Sequence, residues 1–571
     1  MSNKLFITCP IFYVNAKPHL GHAFTLCLAD AWAHYAQLRG NPALLPFAST
    51  RPSKSFKLFK KQVPSSILLT SGTDEHGTKV AQAAKLYRKS PKAYVDEISP
   101  LFKMLCQRNS VALSDFVRTT DERHKKAVEA FWSRLDASGH IYESSYSGWY
   151  SVSDETFYSD WEIATPTQRT SGQGRSFPDR NVTRVAIETG SPVEWIEERT
   201  YMFRVTAFKR QLHEWLDSGA FLEQSEAQQA WKAKAHEMVD TAQDISLSRP
   251  RSRLDWGIPV PKDPQQVTYV WLDALINYLT VAGFPWPKVK PSSRMWPPDF
   301  QFVGKDILRF HAVMWPALLI AVGLDLPRHL ICHSHLLVDG MKMSKSRKNV
   351  ADPFDEQLAL SPVPPEQLAV PSSDSEGLRY VLLRSSLMTS DFSYNRALAR
   401  QMINNELVNS IGNLLARVTS TKLNPNQYVV RIDRAEAGAL FEQSKEDAEL
   451  LEKLDTLAAR FDECWWDQAQ PHLAIEQILQ VIRLTNALIE RHKPWQKDPL
   501  IESEHVIALA AESLRLAGLL LSPVVPNLAG RLLRRLGCGQ TGEDPSEDHS
   551  PHDNLFWSLG PDTGPLLRRL P

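Results

Sequence analysis

The hydrophobic pattern changes character along the chain. Residues 4–9 form a continuous apolar run typical of a buried strand, and residues 21–39 carry apolar side chains at helical spacing until a Gly-Asn-Pro sequence breaks the pattern. A second apolar run at residues 67–70 leads into a polar segment, and residues 78–140 have the periodicity of helices. A strand, a turn and a helix in this order predict the opening of a doubly wound nucleotide-binding sheet, and therefore an α/β fold.

The pattern then changes to that of an insertion. From Tyr142 to about Trp231 the chain has short aromatic-rich strands and polar turns. Three later segments, 256–259, 269–273 and 302–306, return to the pattern of a parallel sheet. The predicted sheet domain is therefore split in two by an inserted domain.

The last third of the chain is helical in period, which predicts an all-α domain. Its helical segments are 398–420, 445–466, 471–492 and 503–535. The tail beyond Gly537 is rich in Gly, Asp, Pro and His and is expected to be poorly ordered. The predicted boundaries are 1–140 and 233–346 for the two halves of the sheet domain, 141–232 for the insertion, 347–396 for a linking region, 397–536 for the helical domain and 537–571 for the tail.

Length, charge and cysteine content exclude several classes of protein. A chain of 571 residues needs several cores, and its 65 basic and 65 acidic residues cancel, so no global charge indicates a nucleic-acid partner. The six scattered cysteines form no Cys-x-x-Cys pair, which argues against a disulfide framework and favours an intracellular protein. The longest apolar run, 312–324, is interrupted by Pro316 and is shorter than the roughly 18 residues of a membrane span.

Two short motifs, far apart in the sequence, carry the candidate chemistry. His19 and His22 lie in a His-Leu-Gly-His turn at the start of a predicted helix, where backbone N–H groups and the positive helix end favour anions. Lys342 and Lys345 lie in a Lys-Met-Ser-Lys-Ser sequence and can place both ammonium groups on one polyphosphate. Together the motifs predict an enzyme that cleaves ATP between its α- and β-phosphates.

A set of longer segments identifies a family. They are TCPIFYVNAKPHLGH at 8–22, GTDEHGTK at 72–79, WGIPVP at 256–261, YVWLDALINY at 269–278, VGKDILRFHAVMWP at 303–316, KMSKS at 342–346 and RHKPW at 491–495. With these segments in this order, the chain resembles the methionyl-tRNA synthetases, which are class I aminoacyl-tRNA synthetases, and most of all their mitochondrial form.

The resemblance implies an architecture and a cellular location. The expected fold is a split Rossmann catalytic domain with an inserted connective domain, followed by an all-α anticodon-binding bundle. Residues 347–396 would form the stem-contact region between them. The expected location is the mitochondrial matrix; the cytoplasm is the alternative, because no Arg/Ser-rich leader precedes Lys4. A monomer is expected.

The resemblance also implies a methionine pocket. A thioether side chain needs an apolar and aromatic lining, and Asp74 would bind the ammonium group. Tyr13 and His311 are expected to donate hydrogen bonds to the sulfur. Three of the pocket residues have the helical spacing of an ordinary core stripe, which is the alternative interpretation for them. The implied lining is Ile11, Tyr13, Trp271, Ala274, Leu275, Tyr278, Ile307, His311 and Trp315.

For ATP with Mg²⁺, the resemblance implies that His19, His22, Lys342 and Lys345 are catalytic. Gly21 would join them in binding ATP, and Gly304, Lys305 and Asp306 would contact the ribose and adenine. The expected chemistry is attack of the methionine carboxylate on the α-phosphorus, driven by positioning and electrostatics. Arg249 is expected near this site.

For tRNA(Met), the resemblance implies that Asn413, Arg417 and Trp495 read the anticodon, because single-stranded RNA is bound by stacking on aromatic rings and by hydrogen bonds to base edges. The alternative is a capping contact for the tryptophan and a routine helix surface for the other two. The arginines at 531, 534 and 535 either contact phosphates or form a solvated helix face.

The chain departs from the family pattern at several places. Residues 42–66 are an atypical basic insertion, and residues 361–375 form a second, proline-rich one. Lys348 replaces a glycine of the lysine loop, which could strain that loop. Residues 148–155 contain no cysteine, so no structural zinc is expected. The rival interpretations are a catalytically impaired tRNA-binding paralogue and a class I synthetase of the same subgroup for cysteine, leucine, isoleucine or valine.

Overall fold

This computed structural model of the chain describes most of the sequence. The described residues are 4–48, 64–151, 156–158, 160–164, 184–187, 190–286, 295–342, 350–369, 371–496, 501–538 and 556–570. Among them, no helix is both long enough and apolar enough to cross a membrane. The predicted insertion at 42–66 lies largely outside the described part, as do residues 152–155 of the segment considered for zinc.

The first half of the sheet domain alternates strands and helices. Its elements are β1 (Lys4–Tyr13), α1 (Leu20–Leu38), β2 (Ser66–Asp74), α2 (Thr78–Leu86), α3 (Pro91–Arg108), β3 (Asp115–Arg118) and α4 (Glu122–Ala137). Helix α3 begins where the Ser90 hydroxyl accepts the Ala93 N–H, with a proline in the first turn. The prediction of helices throughout 78–140 is wrong for β3, whose four residues are too few to show a periodicity.

The insertion is antiparallel. It contains β4 (Ile141–Ser151), β5 (Thr156–Tyr158), β6 (Ile163–Ala164), β7 (Val185–Ala186), β8 (Glu194–Phe203), α5 (Lys209–Asp217), α6 (Glu226–Asp240) and β9 (Ile245–Ser246). Its main sheet has the order β5-β4-β8-β9. The predicted strand pattern is wrong for residues 209–231, which form α5 and the start of α6. Trp215 and Trp231 there lie on helices, and Phe221 is buried in the turn between them.

The second half of the sheet domain follows the insertion. Its elements are β10 (Ser248–Pro250), β11 (Pro259–Val260), β12 (Asp263–Thr268), α7 (Val270–Val281), β13 (Phe300–Gly304), a π-helical segment (Phe310–Met314), α8 (Trp315–Ala321) and β14 (His329–His333). Of the three segments predicted as parallel-sheet strands, only 302–306 overlaps one. Residues 256–259 adjoin an antiparallel sheet of order β10-β12-β11, and residues 269–273 enter α7.

The central sheet has five parallel strands in the order β14-β13-β1-β2-β3. The chain runs outward from β1 on one side and then crosses to β13 on the other. The gap between β1 and β13 is therefore the topological switch point, where ligands of such sheets bind at the carboxyl ends of the strands. The predicted doubly wound α/β fold is confirmed.

The rest of the described chain is mainly helical. Its elements are β15 (Leu336–Val338), β16 (Met341–Lys342), α9 (Pro353–Ala359), α10 (Gly377–Arg384), β17 (Phe392–Tyr394), α11 (Arg396–Met402), α12 (Asn413–Val418), β18 (Tyr428–Val430), α13 (Arg434–Phe441), α14 (Lys445–Asp462), α15 (Pro471–His492), α16 (Ser503–Leu521), α17 (Pro526–Arg535) and β19 (Phe556–Ser558). A π-helical segment, Ile403–Gly412, joins α11 to α12, and another, Glu463–Asp467, extends α14. The predicted helix at 503–535 is broken between α16 and α17, because Pro523 and Pro526 remove backbone donors there.

Part of the tail is folded, against expectation. Strand β19 pairs with β18, and Leu566, Leu567 and Leu570 are buried in the core that contains the helical domain. A few apolar side chains are enough to order this otherwise polar segment, because burying them against the apolar surface of the helical domain is favourable. Residues 539–555 lie outside the described part.

Buried ionic contacts join α1 to the helical domain. The Arg39 guanidinium donates two hydrogen bonds to Asp462, at 2.6 and 2.9 Å, and the Tyr35 hydroxyl donates a third at 3.0 Å. Closer to the start of α1, Asp30 pairs with Arg379 of α10 at 2.6 Å, with both side chains fully buried. Helix α1, which follows β1 of the central sheet, is therefore held by ion pairs against α10 and the helical domain.

Candidate active site

The two histidines of the His-Leu-Gly-His turn form a stacked pair at the start of α1. His19 is the residue that caps the helix, and its Nδ1 accepts the Gly21 N–H at 3.1 Å; the Nδ1 of His22 accepts the His19 N–H at 3.1 Å. The ring centroids are 3.7 Å apart. Because each Nδ1 is an acceptor, each neutral ring carries its proton on Nε2 and can donate it away from the backbone.

Burial and the neighbouring His19 hold the pKa of His22 well below its ordinary value, although the charge of Asp306 opposes them. The pair is therefore an uncharged donor set at a positive helix end. Such a set suits phosphate oxygens, because it adds hydrogen bonds without the repulsion between two imidazolium rings. Asp306 follows β13, on the other side of the switch point from the histidine pair.

Gly304, at the end of β13, lies close to the Asp306 carboxylate. Gly304 is the last residue of the strand, and a Cβ atom placed on it would lie 2.7 Å from the Asp306 carboxylate. Asp306 itself is exposed and lies 3.2 Å from the His335 Nε2. Lys305 is held by Asp391 at 2.6 Å. The structure places both Gly304 and Asp306 at the carboxyl end of β13, and the ribose contact expected of them stays a prediction.

Helix α7 and the π-helical segment build an aromatic wall. Trp271 stacks face to face on Phe310, with centroids 3.6 Å apart and planes 8° apart. Tyr278 contacts both His311 and Trp315. Sequence reasoning did not single out Phe310, although its position beside the predicted His311 is a signal that could have found it. A π-helical turn shifts the side-chain register, which is common at functional sites.

The hydrogen bonds of His311 assign its protons. Its Nδ1 lies 2.9 Å from the Ile307 carbonyl oxygen, which can only accept, so Nδ1 carries the proton. Its Nε2 therefore accepts the Tyr278 hydroxyl proton at 2.8 Å. Burial lowers the pKa of His311 to about 4, so the ring stays neutral. This geometry leaves no N–H of His311 for a sulfur atom, contrary to the expected donor role; the histidine instead orients Tyr278.

Asp74 lies at the junction of β1 and β2. It is paired in register with Tyr13, just as Gly72 is paired with Ile11, so these four residues lie at the same end of the sheet. The Asp74 side chain is buried, at 8% exposure. Gly72 has to be a glycine, because a Cβ atom there would lie 1.9 Å from the Val117 carbonyl oxygen of β3.

The two residues that follow Asp74 are fixed by two networks. Glu75 accepts two hydrogen bonds from Arg118, at 2.6 and 3.0 Å, and its carbonyl accepts the Trp256 indole N–H at 2.6 Å. His76 contacts Asp273 of α7 at 2.6 Å through Nδ1, and His124 contacts the other oxygen of the same carboxylate at 2.7 Å. The turn after β2 is thereby tied to the helix that carries Trp271.

Asp273 stays ionised although it is buried. Burial raises its pKa, but the charges and hydrogen bonds of His76 and His124 outweigh that effect and bring the pKa to about 2. None of these three residues was in the predicted site. The aspartate lies within the predicted segment at 269–278, and a charged residue in an otherwise apolar helix was the available signal.

The structure brings most of the predicted pocket together. Ala274 and Leu275 are buried in α7, Trp315 is buried at the start of α8, and Ile307 is partly buried after Gly304. Lys342 lies in β16, whose backbone pairs with β15. Lys345 and Lys348 lie outside the described residues. Arg249 is buried between Tyr150 and Tyr269, with its guanidinium carbon 4.5 Å from the Tyr269 ring centroid, where the insertion meets the start of α7.

The residues predicted for the anticodon lie on one side of the helical domain. Asn413 is exposed at the start of α12, and Arg417 pairs with Glu490 of α15 at 2.6 Å. Trp495 follows α15 and is 50% exposed, which is unusual for so large an apolar side chain. Its exposure leaves half of the side-chain surface accessible to a ligand.

The basic residues of α17 have a structural use. Arg531 donates a hydrogen bond to the Thr563 carbonyl at 2.9 Å, and Arg535 lies 3.2 Å from Asp562. Both hold the C-terminal segment against the helix. Neither predicted alternative, phosphate contacts or a solvated face, describes these two arginines.

The parallel sheet, the histidine pair at its switch point and the helical domain behind it define a class I aminoacyl-tRNA synthetase. A family model described as tRNA synthetases class I (M) matches residues 5–51 and 49–419. The chain is 37% identical to a mitochondrial methionine–tRNA ligase of Xenopus laevis, over 99% of this chain and 92% of that protein. It is 35% identical to the mitochondrial methionine–tRNA ligase of Homo sapiens, over 99% of this chain and 91% of that protein.

A solved structure agrees with these relatives. The Mycobacterium tuberculosis methionyl-tRNA synthetase in complex with methionyl-adenylate superimposes with a TM-score of 0.80 at 32% identity, covering 99% of this chain and 100% of that chain. The chain belongs to the methionyl-tRNA synthetase family, and within it to the mitochondrial type. The predicted family, fold class and enzyme class are confirmed.

Proposed function

We propose that this enzyme activates L-methionine with ATP and transfers it to the terminal adenosine of tRNA(Met). The observation that carries the proposal is the position of the aromatic wall beside the histidine pair. The His19–His22 pair follows β1, whereas Asp306 and the segment that carries Phe310 and His311 follow the neighbouring strand β13.

The methionine side chain would lie against the aromatic wall. Its thioether needs apolar contact and one weak polar partner, and Tyr13 remains as the donor from the predicted pair. Asp74 would hold the ammonium group, because a buried carboxylate gains most from a fixed positive charge. With both ends held, the substrate carboxylate faces the switch point.

The first reaction is attack of that carboxylate on the α-phosphorus of ATP. A bond forms from the carboxylate oxygen to phosphorus, the bond to the bridging oxygen breaks, and pyrophosphate leaves. The Nε2–H groups of His19 and His22 would donate to the phosphate oxygens whose charge rises, and Lys342 and Lys345 would neutralise the leaving group. Mg²⁺ would enter with the nucleotide as part of the substrate.

In the second reaction a ribose hydroxyl of the terminal adenosine attacks the carbonyl carbon of the adenylate, and AMP leaves. Asn413, Arg417 and Trp495 would read the anticodon at the far end of the tRNA, because an exposed tryptophan can stack on a base and polar side chains can bind base edges. The proposal further includes a monomer that works in the mitochondrial matrix and holds no structural zinc.

The test measures pyrophosphate exchange and aminoacylation separately. With full-length protein, methionine is expected to drive ATP–pyrophosphate exchange far better than cysteine, leucine, isoleucine or valine. Trp495→Ala is expected to leave exchange unchanged and to reduce charging of tRNA(Met). Exchange driven better by another amino acid would support the rival synthetase, and tRNA binding without any exchange would support the impaired paralogue.

A further inference from the structure

Two histidines outside the active site face each other across a helix pair. His213 lies on α5 and His236 on α6, and neither belongs to any of the motifs that define the catalytic site. Both helices also contact the π-helical segment 310–314. The pair is therefore separate from the reaction but close to the framework of the pocket.

The geometry of the two rings is unusual. Their Nδ1 atoms are 2.7 Å apart, while the ring centroids are 4.9 Å apart and the planes differ by 9°. The nitrogens therefore lie between the centroids, and the rings meet edge to edge instead of face to face. The in-plane direction of each Nδ1, where its lone pair or proton lies, points at the other.

The outer nitrogens fix where the protons are. The Nε2 of His213 donates to Asp240 at 3.0 Å, and the Nε2 of His236 lies 3.3 Å from Asp217, which Lys232 also contacts at 2.9 Å. The contact with Asp240 favours the Nε2–H form of His213, and Asp217 favours the same form of His236. At 2.7 Å the two Nδ1 atoms then either share one proton in a hydrogen bond or hold another cation between them.

A ring that donates one nitrogen to a carboxylate and offers the other is the usual arrangement of a metal-binding histidine. We propose that the Nδ1 atoms of His213 and His236 bind one divalent transition-metal ion of the zinc, nickel or copper class, with water completing the coordination. Imidazole suits these metals. The side chains are 31% and 26% exposed, so an ion and its water can reach the nitrogens.

Binding requires a small adjustment. Two bonds of about 2.0 Å to a tetrahedral zinc ion place the nitrogens about 3.3 Å apart, so the rings must separate and also turn until both lone pairs face the ion instead of each other. Both histidine side chains are partly exposed, so they can make this movement without displacing core residues. The bound ion would clasp α5 to α6.

A second group of potential ligands provides a matched control. Glu502, Glu504 and His505 have ligand atoms within 4.8 Å of one another, but the two glutamates are exposed, and acidic groups on a surface commonly hold no metal. Replacing His505 removes a partly buried histidine beside carboxylates while leaving the His213–His236 pair intact.

The experiment titrates chelator-treated full-length protein with Cu²⁺ and Zn²⁺. One ion per chain is expected, with nitrogen hyperfine splitting from two imidazoles in the electron paramagnetic resonance spectrum of the copper form. His213→Asn and His236→Asn should each weaken binding at least tenfold and leave one coupled nitrogen, whereas His505→Asn should change neither. Asp240→Asn, at an exposed outer partner, should weaken binding about tenfold.

Unfolding temperatures measured in chelator show whether each variant is folded. The Asp240 variant keeps both ring nitrogens, so it tests the site even if a histidine variant does not fold. Copper binding that survives both histidine substitutions, that depends on His505, or that shows fewer than two nitrogens in the wild-type spectrum would overturn the proposal. So would the absence of binding, which would assign a shared proton to the pair.

Discussion

His19 and His22 are neutral partners that hold each other in place: the rings stack at 3.7 Å, and each Nδ1 accepts a backbone N–H of the same helix turn. His19 therefore serves two purposes. It caps α1, and its Nε2 is available for the phosphate contact proposed above.

Substitutions at His19 should separate these purposes. Asparagine is a good capping residue, so His19→Asn is expected to retain the unfolding temperature but to reduce pyrophosphate exchange about 100-fold, the usual cost of losing one donor to developing charge. His19→Ala should lose the same activity and also about 1 kcal/mol of stability. Equal exchange rates in the asparagine variant and the wild type would exclude a phosphate contact.

Asp273 should be essential to the pocket although it is not expected to contact substrate. Asp273→Asn leaves His76 and His124 without their carboxylate, and breaking such a buried pair costs about 3–5 kcal/mol. The loss should appear as a lower free energy of unfolding in urea, with a raised KM for methionine.

The control for that substitution is Asp96→Asn. Asp96 also bonds two cationic side chains, but it is exposed, and removing such a pair costs about 0–1 kcal/mol. If the two variants lose the same stability, the assigned difference between buried and exposed pairs is wrong.

Stability should fall in mild acid. Burial lowers the pKa of His311 and of His333 from 6.5 to about 4. Between these values the unfolded chain binds protons that the folded chain does not, so the free energy of unfolding decreases as pH falls from about 6.5 towards 4. Each group contributes a slope of up to about 1.4 kcal/mol per pH unit.

The measurement is denaturant unfolding at several pH values. His333→Asn removes one of the two groups, whose Nε2 lies 2.9 Å from the Thr25 hydroxyl, and should flatten the slope in this window. An unchanged slope in that variant would show that His333 does not titrate as its burial requires.

The bond between Arg39 and Asp462 should be a major contact between α1 and the helical domain. Arg39→Met leaves a buried carboxylate without its cation and should cost about 3–5 kcal/mol. The double variant Arg39→Met, Asp462→Asn removes that charge while keeping an acceptor for Tyr35, and it should lose less than the single variant. Arg123→Met, at a half-exposed pair, should cost at most about 1 kcal/mol.

Local chemistry made much of this protein readable from its residues. The strand–turn–helix at the start, the histidine turn, the Gly-Thr-Asp segment and the amphipathic helices of the last third are short-range patterns, and the structure contains all of them. His19 illustrates why: its ring accepts the Gly21 N–H two residues along the chain, so the signal and its cause lie within one helix turn.

Tertiary structure decided what depends on distant partners. β3 and β19 are too short to show a pattern, and pairing with neighbouring strands makes them strands. Residues 269–273 are apolar because they enter the buried helix α7. A short apolar run of this kind has the same composition as a buried strand, so the sequence alone does not distinguish the two. Asp273 binds two histidines that are far from it in sequence, and the arginines of α17 find their partners in the tail. The sequence by itself determined the residue types and local elements of the site, whereas the positions of its charges and hydrogen bonds depended on packing between segments hundreds of residues apart, because these interactions require proximity in space.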